Sequence, residues 1–354
     1  MKFFVKSDII EILNSLSYEL NYLSNRKVLL AGGNGFLGRY FIEIINEFNS
    51  LNKNKIILTS IDNFISSTKK TTFTSKKLNE ISLIDGNICD VNFVNKLGAF
   101  DIIVNAAGIA SPFYYRSKPL ETLDVAVQGT RNLLNLARLN NCKFIFFSSS
   151  EIYGDPDPTK IPIQESYRGN VSTIGPRACY DESKRLGETL CYIFKQYFGT
   201  HTNIIRPFNI FGPGMLEEDY RVMPNFAANI VSNRNLKLYG DASQTRTFCY
   251  ITDAMNGFFK VICNGVAGEP YNIGTQEPEI NVMELADLFL KISDSKSLKD
   301  IIEYPDSYPG DEPMRRCPDI KKAKLQLNYT PKVELEDGIN RFLNWAKDNY
   351  SNKI

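Results

Sequence analysis

The sequence is poor in the residues that zinc sites and many hydrolases need. Its 354 residues include a single histidine, His201, and seven cysteines that are scattered along the chain with no CxxC pair. Zinc sites built from several imidazoles and a Ser-His-Asp hydrolase are therefore largely excluded. The odd number and scatter of the cysteines indicate reduced, structural thiols. We expect no metal, and acid–base chemistry must come from tyrosine, lysine, aspartate or glutamate.

The chain also lacks an excess of charge and a long apolar run. It carries 41 Lys+Arg against 40 Asp+Glu, so no overall field attracts nucleic acid or an anionic membrane. No apolar stretch approaches the roughly 18 residues that a membrane span requires. We therefore expect a cytoplasmic protein without a nucleic-acid or membrane partner, in which any anionic ligand is bound locally.

Short apolar runs alternate with amphipathic segments over the first two hundred residues. Residues 1–25 carry apolar side chains at helical spacing, which predicts an amphipathic helix used for packing or dimer contact. The alternation of short apolar runs with amphipathic segments after residue 25 is typical of a parallel sheet covered on both faces. The predicted strands are Lys27–Ala31, Lys55–Asp62, Ile81–Asp85, Asp101–Ala106, Lys143–Ser148 and Asn203–Arg206, and the predicted helices are Phe36–Phe48, Pro119–Leu139 and about Tyr180–Phe198.

A glycine motif follows the first predicted strand. The residues after Lys27–Ala31 read GGNGFLG, in which Gly32, Gly35 and Gly38 are spaced as GxxGxxG. Missing side chains allow a sharp turn, let backbone N–H groups approach a pyrophosphate, and let the next helix pack closely on the sheet. Asp62 ends the following strand, where a carboxylate accepts the adenosine ribose hydroxyls and repels a 2′-phosphate, which favours NAD over NADP. The alternative is a plain tight turn with a surface aspartate.

The motif and the element pattern together predict the fold class. We predict an α/β protein with a Rossmann-type doubly wound parallel sheet over residues 26–206. A helical extension, 1–25, precedes it, and a smaller C-terminal substrate-binding region, 207–354, follows and is partly interleaved with it. The predicted cofactor contacts lie at the carboxyl edge of this sheet and are Gly32, Gly35, Phe36, Leu37, Gly38, Asp62, Asn63, Asn87, Ile88, Ala106, Ala107 and Lys184.

A second constellation lies after the fifth predicted strand. Ser149 and Glu151 stand at its carboxyl end, and Tyr180 and Lys184 are four residues apart, which places them on one helix face. A lysine ammonium beside a tyrosine stabilises the phenolate, as does oxidised nicotinamide, so Tyr180 is the candidate base and Ser149 the group that holds the reacting hydroxyl. An i,i+4 surface pair is the alternative.

Four stretches resemble the extended short-chain dehydrogenase/reductases, and within them the UDP-glucuronate decarboxylases. They are Ser149–Pro156, Gly175–Arg185, Tyr239–Tyr250 and Arg316–Ile320, and the resemblance covers roughly Lys27 to Phe342. It implies an NAD-dependent enzyme acting on a nucleotide-sugar, by oxidation at sugar C4, loss of carbon dioxide from the β-keto acid, and reduction of the ketone. It also implies a homodimer that pairs the helices Pro119–Leu139 and Tyr180–Phe198.

The resemblance assigns roles to individual residues. The implied catalytic residues are Tyr180, Lys184, Ser149, Glu151 and Arg316, with Lys184 also contacting the cofactor ribose and Arg316 also orienting the sugar carboxylate. Arg246 falls at the position of a diphosphate-binding arginine, for which a planar guanidinium is suited. The implied substrate-binding residues are Tyr115, Arg185, Asn209, Arg246, Tyr250 and Arg316.

Other activities on the same scaffold remain open. The 4,6-dehydratases resemble this chain but carry Asp-Glu where Ser150-Glu151 stands here, whereas 4-epimerases need only the tyrosine, the hydroxyl residue and room for the sugar to rotate. A non-catalytic NAD-binding module is the remaining alternative, against which the intact Ser149, Tyr180 and Lys184 speak. The chain departs from the decarboxylase pattern at Arg168, Ser172-Thr173 and Gly214, where that family has Trp, Asn-Pro and Arg.

Overall fold

A seven-stranded parallel sheet lies at the centre of the computed structural model, which describes residues 3–67, 78–219, 221–303 and 312–350. The first strand lies inside the sheet, with Leu29 opposite Thr59 on one side and Ile103 on the other. In spatial order the strands are β11 (Pro270–Ile273), β6 (Thr202–Pro207), β5 (Lys143–Phe147), β4 (Ile102–Asn105), β1 (Lys27–Ala31), β2 (Ile57–Asp62) and β3 (Ile81–Asp85). The predicted fold class is confirmed.

Helices cover both faces of this sheet because successive strand residues point to opposite sides. Leu30 and Phe147 belong to a core shared with the helices Phe36–Leu51 and Ile251–Asn264, whereas Leu29 and Phe146 belong to a core shared with the helices Thr130–Asn140 and Ala178–Phe198. The helices are α1 (Lys6–Ser15), α2 (Ser17–Leu23), α3 (Phe36–Leu51), α4 (Val91–Val94), α5 (Pro112–Ser117), α6 (Pro119–Asp124), α7 (Thr130–Asn140), α8 (Ala178–Phe198), α9 (Val222–Val231), α10 (Ile251–Asn264), α11 (Val282–Ser293), α12 (Lys321–Leu327) and α13 (Leu335–Asn349). None of the described helices is long and apolar enough to cross a bilayer.

The predicted helix Pro119–Leu139 is interrupted. A five-residue π-helical segment, Val125–Gly129, joins α6 to α7. At this level Gly129 faces the Ile88 side chain, and a Cβ on Gly129 would lie 2.7 Å from Ile88 Cδ1. The helix therefore widens where the chain after β3 packs against it, a tertiary contact that the helical periodicity does not report.

The second half of the chain contributes to the central sheet and also builds small sheets beside it. Its strand β11 pairs with β6 and is the seventh strand of the central sheet, so the region predicted as 207–354 is physically interleaved with the region before it. The smaller strands pair as β7 (Ile210–Phe211) with β10 (Cys249–Tyr250), β8 (Leu236–Tyr239) with β13 (Lys299–Ile302), and β9 (Thr245–Arg246) with both β12 (Ile280–Asn281) and β14 (Arg315–Arg316). Short 3₁₀ turns occupy Ser150–Tyr153 and Pro158–Lys160.

The N-terminal extension forms two helices rather than one. They break at Leu16, and their apolar face, which includes Ile9, Ile12 and Leu20, is buried in the main core. Polar contacts fix the same face: Asn256 of α10 donates to Ser15 Oγ at 2.9 Å, and Tyr250 Oη donates to Asp8 Oδ2 at 2.6 Å. This face therefore serves packing within the chain.

Asp8 makes the stability of this packing depend on pH. Burial raises the pKa of Asp8 to about 6, against the opposing effects of the Tyr250 hydrogen bond and the Arg341 charge. The folded state therefore binds this proton more tightly than the unfolded chain, and stability falls as the pH rises from about 4 to about 6. We expect the difference in unfolding free energy, Asp8→Asn minus wild type, to rise by about 3 kcal/mol between pH 4 and pH 7. Urea denaturation across that range measures it, and a constant difference contradicts the argument.

Candidate active site

A cavity of about 610 Å³ opens at the carboxyl edge of the central sheet. Its walls come from the chain just after β1, β4, β5 and β6, and from loops of the second half. This is the edge at which open α/β sheets bind ligands. Of the predicted site residues, those that line it are Phe36, Leu37, Ala106, Tyr115, Ser149, Glu151, Tyr180, Lys184, Asn209, Arg246 and Arg316.

The glycine loop packs backbone against backbone at the start of this cavity. Gly32 has φ +85°, and a Cβ there would lie 2.7 Å from Ala107 Cα; a Cβ on Gly38 would lie 2.2 Å from the Gly32 carbonyl oxygen. The next glycine, Gly35, is the N-cap residue of α3 and offers no side chain to cap its first N–H groups. These donors suit a phosphate at the helix N-terminus.

Asp62 is tied to the same loop. Its Oδ2 accepts the Asn34 N–H at 2.8 Å, and its Oδ1 accepts the Phe64 N–H at 2.8 Å and the Ser67 hydroxyl at 2.9 Å. The neighbouring Asn63 accepts the Ile65 N–H through its own Oδ1 at 3.2 Å. A carboxylate has about four acceptor positions, so Asp62 is held in place and keeps capacity for a ribose hydroxyl.

The remaining predicted cofactor residues surround the ends of β3 and β4. Asn87 Oδ1 accepts the Cys89 N–H at 3.0 Å, and the Ile88 carbonyl accepts Asn132 Nδ2 at 2.9 Å. Ala106 N–H donates to the Ala31 carbonyl at 3.0 Å, which extends the β1–β4 ladder to the glycine loop. These hydrogen bonds hold the segments after β3 and β4 in place beside the glycine loop.

We predict that Gly38→Ala loses NAD affinity, because its new Cβ displaces the Gly32 carbonyl and widens the phosphate loop. The expected loss is at least about tenfold, which corresponds to about 1.4 kcal/mol. Calorimetric titration with NAD measures it. Gly98→Ala is the control for lost stability: Gly98 has φ +84°, which strains an alanine, but a Cβ there meets nothing within 4 Å, so this variant should keep its NAD affinity. Wild-type affinity in Gly38→Ala contradicts the prediction.

Tyr180, Lys184 and Ser149 converge in the cavity wall. Helix α8 approaches β5 closely because Gly187 lies against the Phe146 ring, which a Cβ would meet at 2.3 Å. Lys184 Nζ donates to the Phe147 carbonyl at 2.7 Å and lies 5.8 Å from the centre of the Tyr180 ring. Ser149, whose Oγ accepts the Glu151 N–H at 3.2 Å, lines the same cavity as Tyr180 and Lys184. The sequence-predicted trio is therefore brought together.

The protein groups alone do not make Tyr180 acidic. Burial raises the pKa of Tyr180 to about 12, with the hydrogen bond from Ser149 opposing and the Glu151 charge adding to the rise. Burial also lowers the pKa of Lys184 to about 8. In the protein alone, burial therefore outweighs any stabilisation of the phenolate by Lys184, and the joint action of Lys184 and oxidised nicotinamide on Tyr180 stays a prediction. Positive charge from a bound ligand must supply the difference.

Glu151 is clamped by two arginines. Arg316 donates both of its terminal nitrogens to the two Glu151 oxygens, at 2.6 and 2.8 Å, and Arg177 Nη2 donates to Oε2 at 2.5 Å. Burial raises the pKa of Glu151, but Arg177 and Arg316 outweigh it and bring that pKa down to about 2. In this arrangement Glu151 is therefore ionised.

Arg177 and Glu312 were missed by the sequence reasoning. Glu312 accepts from Arg177 Nη1 at 2.6 Å and from Arg246 Nη2 at 2.7 Å, so its carboxylate bridges the two arginines. Asp181 lies 3.6 Å from Arg177 Nε, and burial, with the Glu151 charge adding, raises the pKa of Asp181 to about 7. The signal for Arg177 was its place inside the Gly175–Arg185 stretch, three residues before Tyr180.

Two predicted substrate residues present polar groups near the catalytic trio. Tyr115 stacks on Tyr180 with ring centres 5.5 Å apart, and its buried hydroxyl has no hydrogen-bond partner among the described residues. Asn209 is held with φ +44° and donates Nδ2 to the Thr247 carbonyl at 2.8 Å. An orphaned hydroxyl in a cavity wall suits a polar ligand.

Two other predicted substrate residues do not line the cavity. Arg185 donates Nη1 to the carbonyls of Ile152 and Arg168, at 2.9 and 2.8 Å, and so joins α8 to the two segments that carry these residues. Tyr250 is 1% exposed and is committed to the buried Asp8 of the N-terminal extension. Both side chains are engaged by contacts within the chain, and their contact with substrate stays a prediction.

Comparison with known proteins agrees with this geometry. The sequence profile of the NAD dependent epimerase/dehydratase family matches residues 28–274. The curated relatives include UDP-glucuronic acid decarboxylase 1 of Danio rerio, 34% identical over 92% of this chain and 74% of the relative, and UDP-glucuronic acid decarboxylase 6 of Arabidopsis thaliana, 34% identical over 90% of this chain and 88% of the relative.

Solved structures agree on the fold. A dTDP-glucose 4,6-dehydratase from Streptomyces venezuelae superposes with a TM-score of 0.80 at 23% identity, covering 91% of this chain and 97% of that one. A UDP-glucuronic acid 4-epimerase from Bacillus cereus, with NAD and a fluorinated UDP-glucuronic acid bound, superposes with a TM-score of 0.78 at 25% identity, covering 92% of this chain and all of that one. By its sequence, its fold and its glycine loop, the chain belongs to the NAD dependent epimerase/dehydratase family of enzymes.

Proposed function

We propose that this protein is a UDP-glucuronate decarboxylase. The observation that carries the proposal is the group of three guanidiniums, Arg177, Arg246 and Arg316, in the wall of the cavity that holds Tyr180. A nucleotide diphosphate and a sugar acid together bring the negative charge that such a group can neutralise. The curated relatives at 33 to 35% identity carry this activity in their names.

NAD fits the residues present. The tight backbone packing at Gly32 and Gly38 and the uncapped start of α3 would hold its pyrophosphate. Asp62 would hold the adenosine ribose, and Lys184 the nicotinamide ribose. When bound, NAD would supply the hydride acceptor for oxidation at sugar C4 and the hydride donor for the later reduction. Its oxidised ring also supplies the positive charge that Tyr180 lacks within the protein.

The chain's own residues handle the protons and the charge. Tyr180 takes the proton of the C4 hydroxyl, while Ser149 holds that hydroxyl in a hydrogen bond. Once C4 is a ketone, the sugar is a β-keto acid. The bond between C5 and the carboxyl carbon breaks, carbon dioxide leaves, and the electrons of that bond move to the C4 oxygen as an enolate, which takes a proton from water at C5 before C4 is reduced. At the C4 oxygen the Tyr180 and Ser149 hydroxyls stabilise the developing charge. Because Glu151 stays ionised, its role is to hold Arg316 and Arg177 in place for the substrate acid.

The second half of the chain is proposed to hold the nucleotide-sugar. Asn209, Arg246 and Arg316 all come from the region 207–354 and line the cavity opposite the glycine loop and α8. Arg246 suits the diphosphate through its planar fork, and Tyr115 from the first half suits the sugar acid. The division into residues 1–25, 26–206 and 207–354 therefore describes ligand roles more than separate cores.

The test is product analysis. Purified protein incubated with NAD and UDP-glucuronate should release carbon dioxide and form a UDP-pentose. Mass detection identifies the UDP-pentose. UDP-galacturonate without mass loss identifies a 4-epimerase, and loss of water from a neutral nucleotide-sugar identifies a dehydratase. An absence of reaction with any nucleotide-sugar, with NAD still bound, identifies a binding module.

We also propose that the protein is a homodimer in the cytoplasm. Helices α6 and α8 lie side by side and leave large apolar side chains exposed, among them Leu120, Leu123 and Leu186, at 73%, 41% and 45%. A self-complementary pairing of the two helices covers such a face in a twofold dimer. Cell fractionation tests the compartment.

Introducing a charged side chain into the proposed interface tests the dimer. We predict that Leu123→Glu, alone or with Leu186→Glu, converts the protein to a monomer, because carboxylates at the centre of an apolar helix pairing are desolvated without partners. Sedimentation velocity measures the change in mass. Leu325→Glu is the matched control, since Leu325 is 84% exposed on α12. A wild type that sediments as a monomer overturns the proposal.

A further inference from the structure

Glu312 occupies a position that the chemistry above does not use. Its two carboxylate oxygens are divided between Arg177 and Arg246, one hydrogen bond to each, and its side chain is 23% exposed in the cavity wall. A carboxylate that bridges two guanidiniums has the geometry of the anionic ligand those guanidiniums bind best.

Arg246 has no terminal N–H left for a ligand in this arrangement. Its Nη1 donates to the carbonyls of Thr245 and Met314, and its Nη2 donates to Glu312 Oε1 and to the Pro313 carbonyl. Each terminal nitrogen carries two N–H groups, so all four are engaged. An anion gains a strong hydrogen bond from Arg246 only by replacing one of these partners.

Glu312 is the partner that can leave. Strands β9 and β14 are paired with Thr245 opposite Arg315 and Arg246 opposite Arg316, and the Met314 carbonyl also accepts the Thr245 N–H at 2.9 Å. Moving the Met314 carbonyl breaks this backbone hydrogen bond, and the Thr245 and Pro313 carbonyls belong to the residues just before Arg246 and Met314 in the paired segments. Glu312 is a side chain, and rotation about its own bonds releases both arginines at once.

We infer that Glu312 is an internal competitor that an anionic group of the substrate must displace from Arg246 and Arg177. The inference rests on the proposed function, because it takes the ligand to be a nucleotide-sugar with paired anionic oxygens, as a phosphate or a carboxylate offers. Glu312 keeps the two guanidiniums paired between turnovers and excludes ligands too weakly charged to replace it. Substrate selection is then set by competition as well as by fit.

The experiment compares ligand binding to wild type and to Glu312→Gln, both loaded with NADH so that no oxidation of the sugar occurs. Three probes are titrated by calorimetry: uridine, UDP and UDP-glucuronate. Glu312→Gln keeps the shape of the side chain and removes its charge. We expect it to bind UDP, UDP-glucuronate or both about tenfold more tightly than wild type. A tenfold ratio is what one displaced charge-assisted hydrogen bond gives. Uridine, which carries no charge, should bind both proteins equally.

The pattern among the probes identifies the displacing group. A gain with UDP assigns it to the diphosphate, and a gain with UDP-glucuronate alone assigns it to the sugar carboxylate. Glu279→Gln is the control for net charge: Glu279 pairs bidentately with Arg315 at 2.9 and 2.8 Å, nearby on the same small sheet, and its removal should change the affinities much less.

Equal or weaker binding of both anions by Glu312→Gln and by a second variant, Glu312→Ala, overturns the inference, because Glu312 then supports the arginines instead of competing for them. If wild type binds UDP and only this comparison fails, the proposed function stands. If neither protein binds UDP or UDP-glucuronate while NADH binds, the nucleotide-sugar assignment and the inference fail together.

Discussion

Replacing Tyr180 by phenylalanine is expected to lower kcat by about a thousandfold while UDP and NAD bind as in wild type. The change removes one oxygen atom, which is the group proposed to take the C4 proton, and general acid–base groups contribute typically 10²- to 10⁴-fold. The ring itself stays, and with it the stacking on Tyr115 at 5.5 Å. Steady-state turnover of UDP-glucuronate, with calorimetric binding of NAD and UDP, separates the two effects.

The matched control for this variant is Tyr197→Phe. It makes the same chemical change on the same helix, but Tyr197 is 73% exposed and its side chain lies away from the cavity. Its turnover should equal that of wild type. Full activity in Tyr180→Phe would remove the proposed base, and a loss of UDP or NAD binding of similar size would show that Tyr180 acts through binding alone.

The catalytic trio and the cofactor loop could be predicted from sequence because their determinants are local. A turn after β1 requires glycine at Gly32, and an i,i+4 spacing places Tyr180 and Lys184 on one face of α8, whatever the rest of the chain does. The order of strands and helices in the first half follows from alternating hydrophobic patterns for the same reason. The helix break at Leu16 and the π-helical segment before α7 do not follow from the hydrophobic pattern, because both depend on what packs against them.

The electrostatic pattern of the site could not be predicted, because it depends on contacts between distant segments. Glu151 follows β5, Arg177 precedes α8, and Glu312 and Arg316 come from the far end of the chain. Each residue type was visible, but which charge meets which is a property of the folded arrangement. The sequence offered Arg316 as a partner for the sugar acid, but its bidentate pairing with Glu151 became visible only in the folded arrangement.

The structure also gives a physical reason for one departure from the decarboxylase pattern. Gly214 stands where that family has arginine, and it adopts φ +93°, a conformation that favours glycine. A Cβ on Gly214 would lie 2.9 Å from the carbonyl oxygen of Phe3. The N-terminal extension and Gly214 therefore fit each other, and the departure reflects how this chain packs its extension beside the cavity.

The second large effect is expected at Glu151. Glu151→Gln removes the negative charge between Arg316 and Arg177 while keeping the shape of the side chain. Arg316 is 3% exposed, and breaking one partner of a buried ion pair leaves an uncompensated charge that typically costs about 3–5 kcal/mol. We expect the unfolding free energy to fall by about 3 kcal/mol and the release of carbon dioxide to slow by about a hundredfold, since misplaced positioning groups cost about that factor.

The two losses have different origins, and a double-mutant cycle separates them. If the stability loss comes from an unpaired Arg316, then Glu151→Gln combined with Arg316→Met recovers much of the stability measured by urea denaturation, because no buried charge is then left without its partner. Turnover is not recovered, since the sugar acid has lost the arginine that orients it. Additive stability losses would show that Glu151 and Arg316 act independently, and recovered decarboxylation would show that neither residue serves the reaction. The clamp thus predicts one pair of residues that is coupled in folding and jointly required in catalysis.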